Sequence, residues 1–105
     1  MSAVSFAKRA IEAKLSVVPV SPGGKLPASK WKAWQSSIME LSEVESFFSK
    51  NDLGIICGAV SGGVECLDFD DPKAFDEWKT FIINHGFEDV FNSCYIQQTP
   101  SGGWH

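Results

Sequence analysis

Two carboxylates, Asp68 and Asp70, stand two residues apart in the stretch V-E-C-L-D-F-D-D-P-K-A-F, residues 64–75. Side chains at i and i+2 of a strand share a face, with Cα atoms about 6.5–7 Å apart. On this reading Val64 and Cys66 continue the face of the two acids, while Leu67 and Phe69 take the other. Unpaired carboxylates on one face repel each other. A divalent cation turns that repulsion into binding, because Mg²⁺ takes one or two carboxylates together with substrate phosphates. Phosphoryl- and nucleotidyl-transfer sites use such metals to neutralise phosphate charge and to align attacking and leaving oxygens. The competing reading makes Asp70 and Asp71 a turn and helix cap and Asp68 a solvated strand end. D-x-D alone does not choose between them.

A second candidate is T-P-S-G-G-W-H, residues 99–105. Glycines without Cβ let backbone N–H groups approach a phosphate closely. His105, two residues past the glycine pair, could donate to a phosphate oxygen or act as an acid. An ordinary hairpin turn with an exposed histidine explains the same residues. The third is P-G-G-K-L-P-A-S-K-W-K-A-W-Q, residues 22–35, where lysines alternate with Trp31 and Trp34. Such a loop could grip phosphates and stack a base, or simply be tucked onto the core by its tryptophans. His85, near a helix C-terminus, reads as structural.

The elements that must position these groups are legible from punctuation and period. Residues 4–15 read as an amphipathic helix with Ala3, Phe6, Ala10, Ile11 and Ala13 roughly on one side. Residues 16–20, S-V-V-P-V, read as a short strand whose Pro19 suggests an edge or strand end. A helix is predicted at about 42–50, with Ser42 and Glu45 as a capping box. L-G-I-I-C-G-A-V and V-E-C-L-D-F-D flank S-G-G and read as a β-hairpin. Asp71 as N-cap, Pro72 at the first helical position and Gly86 as the stop frame another helix. Phe75, Trp78, Phe81 and Ile82 are its expected buried stripe. Residues 93–99 read as a further strand, P-S-G-G as a turn, and Trp104 and His105 as the start of the next strand. Helices and strands joined by hairpins predict an α+β fold with a mixed or antiparallel sheet and flanking helices.

Composition narrows the class. A chain of 105 residues, 44% hydrophobic, is one domain or part of one. No apolar run approaches the ~20 residues that span a bilayer, and residues 1–15 lack the apolar stretch of a signal peptide. The cytoplasm is therefore the expected compartment, with no membrane partner. Cys57, Cys66 and Cys94 have no metal-ligand spacing and read as buried reduced thiols. A net charge of −4 argues against nonspecific coating of duplex DNA. The charge is uneven: seven Lys/Arg against four acids over 1–50, two lysines against nine acids over 51–105. A basic ligand path beside an acidic metal site would divide this way.

The order of these motifs resembles the N-terminal part of the bifunctional primase–polymerase (prim-pol) domain of the archaeo-eukaryotic primase superfamily. The residues that carry the likeness are Lys25, Pro27, Trp34 and Gln35, then Phe47 and Phe48, then G-I-I-C-G-A-V-S-G-G-V-E-C-L-D-F-D, then T-P-S-G-G-W-H. It covers about Ala7 to His105. The resemblance implies a metal-dependent nucleotidyltransferase that makes or extends primers from nucleoside triphosphates on a single-stranded DNA template. It implies Asp68 and Asp70 as ligands of Mg²⁺ or Mn²⁺, and His105 as a contact to the incoming nucleotide's phosphates. Ser101, Gly102 and Gly103 would form the turn presenting that histidine, and Lys25 would take a phosphate role. The chain follows the GG-x-H form, with Gly103 where the wider superfamily often has Ser. The family places a third metal carboxylate and an RRM-like half later in the sequence, expected beyond residue 105. A chain lacking them would hold metal poorly and not catalyse alone. The family's usual setting is a mobile-element replication protein, sometimes with a helicase domain on the same chain.

Two rivals remain. A glycosyltransferase could use D-x-D for Mn²⁺ and a nucleotide-sugar, but expects more βα units before the motif than 67 residues allow. A non-catalytic nucleic-acid-binding or docking remnant of the same fold is the alternative from another class.

Overall fold

The computed structural model describes residues 2–24, 26–28 and 30–105. It divides into two compact units, residues 1–65 and 66–105. Among the described residues the fold is α+β, with four α-helices and a two-stranded antiparallel sheet.

In the first unit, α1 (Ala3–Glu12) starts at Ser2, whose Oγ accepts the Ser5 N–H at 3.1 Å. This satisfies one of the orphan donors of the first turn. The helix ends as Lys14 enters the left-handed region (φ 68°) and the Leu15 N–H reaches back to the Ala10 carbonyl at 3.0 Å. The chain thereby turns directly into β1 (Ser16–Val20). This strand pairs with β2 (Asp52–Ile56) in register from Ser16 opposite Ile56 to Val20 opposite Asp52. Ala7 and Ala10 of α1 and Val17 and Val18 of β1 form the core with Trp34, Met39, Val44 and Phe48. The last two belong to α2 (Val44–Phe48), which follows a 3₁₀ turn over Leu41–Glu43.

The buried stripe of α1 is rotated from the sequence expectation. Ala7 and Ala10 are its centre, Ala3, Val4 and Ile11 flank it, and Ala13 is exposed. The cap of α2 also moves: the Glu40 N–H donates to Glu43 Oε2 at 3.2 Å, two residues before the expected Ser42 and Glu45. Glutamates do the work expected of a hydroxyl because the 3₁₀ turn begins the helix early.

The predicted hairpin between residues 53 and 70 is the main fold-level correction. Its first half is β2, but β2 pairs with β1. The S-G-G segment closes a 3₁₀ turn (Ala59–Ser61), and among the described residues the chain beyond it bridges back across that turn once, Gly58 to Val64. Gly58 has φ 92° and ψ −157°, a conformation open essentially to glycine alone, so the strand direction breaks there.

The second unit carries α3 (Pro72–Asn84) and α4 (Glu88–Ser93). Asp71 caps α3 by accepting the Lys73 N–H at 2.9 Å, Pro72 opens it, and Gly86 follows at φ 88°. The helix α4 was not expected; Glu88 and Asp89 favour its N-terminus. The expected strand over 93–99 does not form: Ser93 ends α4, and among the described residues the segment contributes only an isolated bridge, Gln98 to Trp104. Phe75 and Trp78 turn inward, but Phe81, expected in the buried stripe, is 60% exposed. It stacks on His85, whose Nδ1 lies 2.7 Å from the Phe81 carbonyl oxygen. The three cysteines are thiols outside any disulfide and are exposed, where burial was expected, because the runs that carry them are not core strands. No helix among the described residues is long and apolar enough to cross a membrane.

Candidate active site

The carboxylate pair, the glycine turn and His105 lie in the second unit, and one bridge organises them; Trp31 and Trp34 of the third candidate lie in the first. The Phe69 N–H donates to the Trp104 carbonyl at 2.8 Å, and the Trp104 N–H donates to the Phe69 carbonyl at 2.8 Å. This is a hydrogen-bonded antiparallel pair. Its neighbours on either side are therefore non-hydrogen-bonded pairs, in which side chains stand closer together. Counting outward, Asp68 faces His105 and Asp70 faces Gly103. The side chains agree: His105 Nε2 lies 3.3 Å from Asp68 Oδ1.

Gly103 faces Asp70 for a steric reason. A Cβ at this position would run into the Phe69 carbonyl oxygen and sit 3.2 Å from Asp70 Cα and from Thr99 Oγ1. Only glycine lets the two backbones come this near. The turn itself is closed by the Gly102 N–H to the Thr99 carbonyl at 2.9 Å and the Thr99 N–H to the Gly103 carbonyl at 2.8 Å. Gly102 adopts φ 95° to make it. Ser101 Oγ lies 3.3 Å from Thr99 Oγ1. The Gly102 amide is thus engaged within the turn, whereas the Ser101 and Gly103 amides donate to no acceptor among the described residues. Beyond the turn, Gln97 and His105 exchange N–H donors at 3.1 and 2.9 Å, which fixes His105 between two strands of chain.

The bridge is held from its other side. Trp104 stacks on Phe75 with ring centroids 5.0 Å apart and planes 19° from parallel. Phe69 meets Phe75 edge-on at 5.6 Å and Trp78 at 5.3 Å. Phe91 of α4 closes the cluster against Phe75 and Trp78 at 6.5 and 6.0 Å. Aromatic pairs at these separations add about 0.5–1.5 kcal/mol each beyond their buried area. Extended chain alternates its faces, so seating Phe69 and Trp104 on α3 directs Asp68, Asp70 and His105 the other way. Sequence reasoning singled out the polar residues and missed this aromatic clamp. Its signal was present: one aromatic sits between the two aspartates and another between Gly103 and His105.

Asp68 and His105 are 60% and 40% exposed, and among the described residues no ion pair reaches Asp70. Two open carboxylates with hard oxygens suit Mg²⁺ or Mn²⁺ that completes its shell with phosphate and water. They do not make an all-protein cage: no group of three or more His, Cys, Asp or Glu residues suited to a metal occurs among the described residues. Lys25 lies outside the described residues.

A family profile described as bifunctional DNA primase/polymerase, N-terminal, matches residues 7–105. The chain belongs to this family. Comparison with curated proteins gives no significant match.

Proposed function

We propose that this chain supplies part of the active site for nucleotidyl transfer in DNA replication: a primase–polymerase that adds nucleoside triphosphates to a primer 3′-hydroxyl on a single-stranded template. The observation that supports it most is the bridge-enforced pairing of Asp68 with His105 in a chain of this family. Asp68 and Asp70 would hold Mg²⁺ or Mn²⁺. When bound, that ion supplies neutralisation of triphosphate charge and activation of the attacking hydroxyl. His105 turns Nε2 toward Asp68, so Asp68 would orient the ring and Nδ1 would be the nitrogen left to donate to a phosphate oxygen. The free amides of Ser101 and Gly103 offer further donors to the same charge; for Lys25 the family resemblance alone implies a phosphate role.

The test is Asp68→Ala in the full-length protein. It should abolish both primer synthesis and extension while leaving the melting temperature unchanged. Unaltered extension would sink the assignment. A second reading is a non-catalytic nucleic-acid-binding or docking module of the same fold. It predicts no metal-dependent nucleotide binding even in the unmodified full-length protein.

A further inference from the structure

The structure separates two tryptophans that the sequence leaves equivalent. Trp34 is 9% exposed and meets Phe47 edge-on at 5.1 Å. It belongs to the core, and its carbonyl accepts the Ser16 Oγ hydrogen bond. Trp31 is 37% exposed and has no ring partner among the described residues. It caps the 3₁₀ turn over Lys32–Gln35, so the buried Trp34 holds it in place from three residues away. The loop before it is also fastened. Pro27 bridges Val20, the Ala28 N–H donates to the Pro19 carbonyl at 2.9 Å, and the Ser21 N–H to the Leu26 carbonyl at 3.1 Å.

Charge along the sequence about Trp31 has one sign. From Ala13 to Met39 the sequence holds four lysines and no acid. Lys30 and Lys32 flank the ring, are exposed, and make no ion pair among the described residues. An acid that does reach this loop, Asp52, has its carboxylate Oδ2 engaged by the Gly23 N–H at 3.1 Å. An exposed aromatic side chain at the start of a 3₁₀ turn, with an unpaired lysine next to it in sequence on each side, matches a base and its flanking phosphates. Lysines at a duplex would need no exposed ring, and an apolar protein partner would not select a ring flanked by lysines on both sides in sequence.

We infer that Trp31, with Lys30 and Lys32, is a stacking contact for single-stranded DNA, separate from the Asp68–His105 pair. The inference rests on the nucleic-acid reading above but not on the catalytic assignment. Labelled oligo-dT binding to the full-length protein, followed by fluorescence anisotropy, tests it. Trp31→Ala should weaken binding by about tenfold, and Trp31→Phe should restore most of the loss. Replacing both lysines with Ala should lower the salt slope of log K by about 1.4, near 0.7 for each phosphate contact on a single strand. Metal-dependent triphosphate binding should be unchanged in all three. Undiminished oligo-dT binding by Trp31→Ala overturns the inference. So does an equal loss on duplex DNA, or an equal loss in Trp31→Phe. Failure of the catalytic reading shows instead as unaltered extension by Asp68→Ala, whatever Trp31 does.

Discussion

The two units are held together by different means. In the first, a continuous five-residue ladder, a mixed aliphatic and aromatic core and buried serines reinforce one another. Ser16 is fully buried, its N–H donates to Ser61 Oγ at 2.9 Å, and Ser61 Oγ in turn donates to the Ile56 carbonyl. In the second, Phe75 is the only buried hydrophobic side chain among the described residues. Its backbone pairing consists of bridges at Phe69, Gln98 and Trp104, and Leu67, Phe81, Phe87, Val90 and Tyr95 are exposed. The candidate catalytic groups sit in this second, more loosely fastened region. Local stability follows buried contact and ladder continuity. The comparison therefore suggests a scaffold unit and a site unit, with the site's geometry resting on a few aromatic contacts.

Removing the most central of those contacts should have the largest effect. Phe75 meets Phe69, Trp78, Phe91 and Trp104. Phe75→Ala should cost about 3–5 kcal/mol, the range for a core phenylalanine. Hydrogen exchange should show protection falling first at the Phe69 and Trp104 amides while β1 and β2 keep theirs. Equal loss in both units would dissolve the distinction. Gly103→Ala comes next, at about 1–3 kcal/mol for overpacking against fixed backbone. Because it separates the two segments that bear Asp68 and His105, its primer-extension activity should fall further than its melting temperature predicts.

What was legible in the sequence divides along the same line as what is local. Asp71, Pro72 and Gly86 frame α3 because caps act within one turn, and Ser16–Val20 shows its strand character in its own residues. The choice of partner for β2 is a different kind of fact. It depends on which apolar face covers Ala7 and Ala10, and on the break at Gly58, neither of which is written in the hairpin-like spacing. The site was legible as a set of residue types in order. What joined Asp68 to His105 was not, because the register comes from Phe69 and Trp104 seating on Phe75, a contact across 29 residues of chain from Phe75 to Trp104. Short α4 escaped notice because six residues give little periodicity to read.

The serine network offers a smaller perturbation on the scaffold side. Ser61→Ala leaves the buried Ser16 N–H without its acceptor. A buried donor stranded in this way costs about 1–3 kcal/mol. Denaturant titration of the full-length protein should place this variant between Gly103→Ala and a surface change. Hydrogen exchange should report the loss at Ser16 while the Phe69 and Trp104 amides stay as they were. Ser61→Thr, which keeps a hydroxyl, separates the hydrogen bond from mere side-chain size.

The smallest effect should come from the charge pair on the scaffold surface. Lys8 Nζ lies 3.6 Å from Glu45 Oε1, joining α1 to α2, but the two side chains are 44% and 77% exposed. Water and salt screen such a pair, and holding two long side chains together opposes the gain. Lys8→Ala and Glu45→Ala should each change stability by less than about 0.5 kcal/mol, and the double variant should show coupling no larger. Raising ionic strength should shrink even that. If the pair instead contributed as much as Ser61, the first unit would owe its order to surface charge, and the contrast between a strand-laddered core and an aromatic clamp would no longer describe how this chain is built.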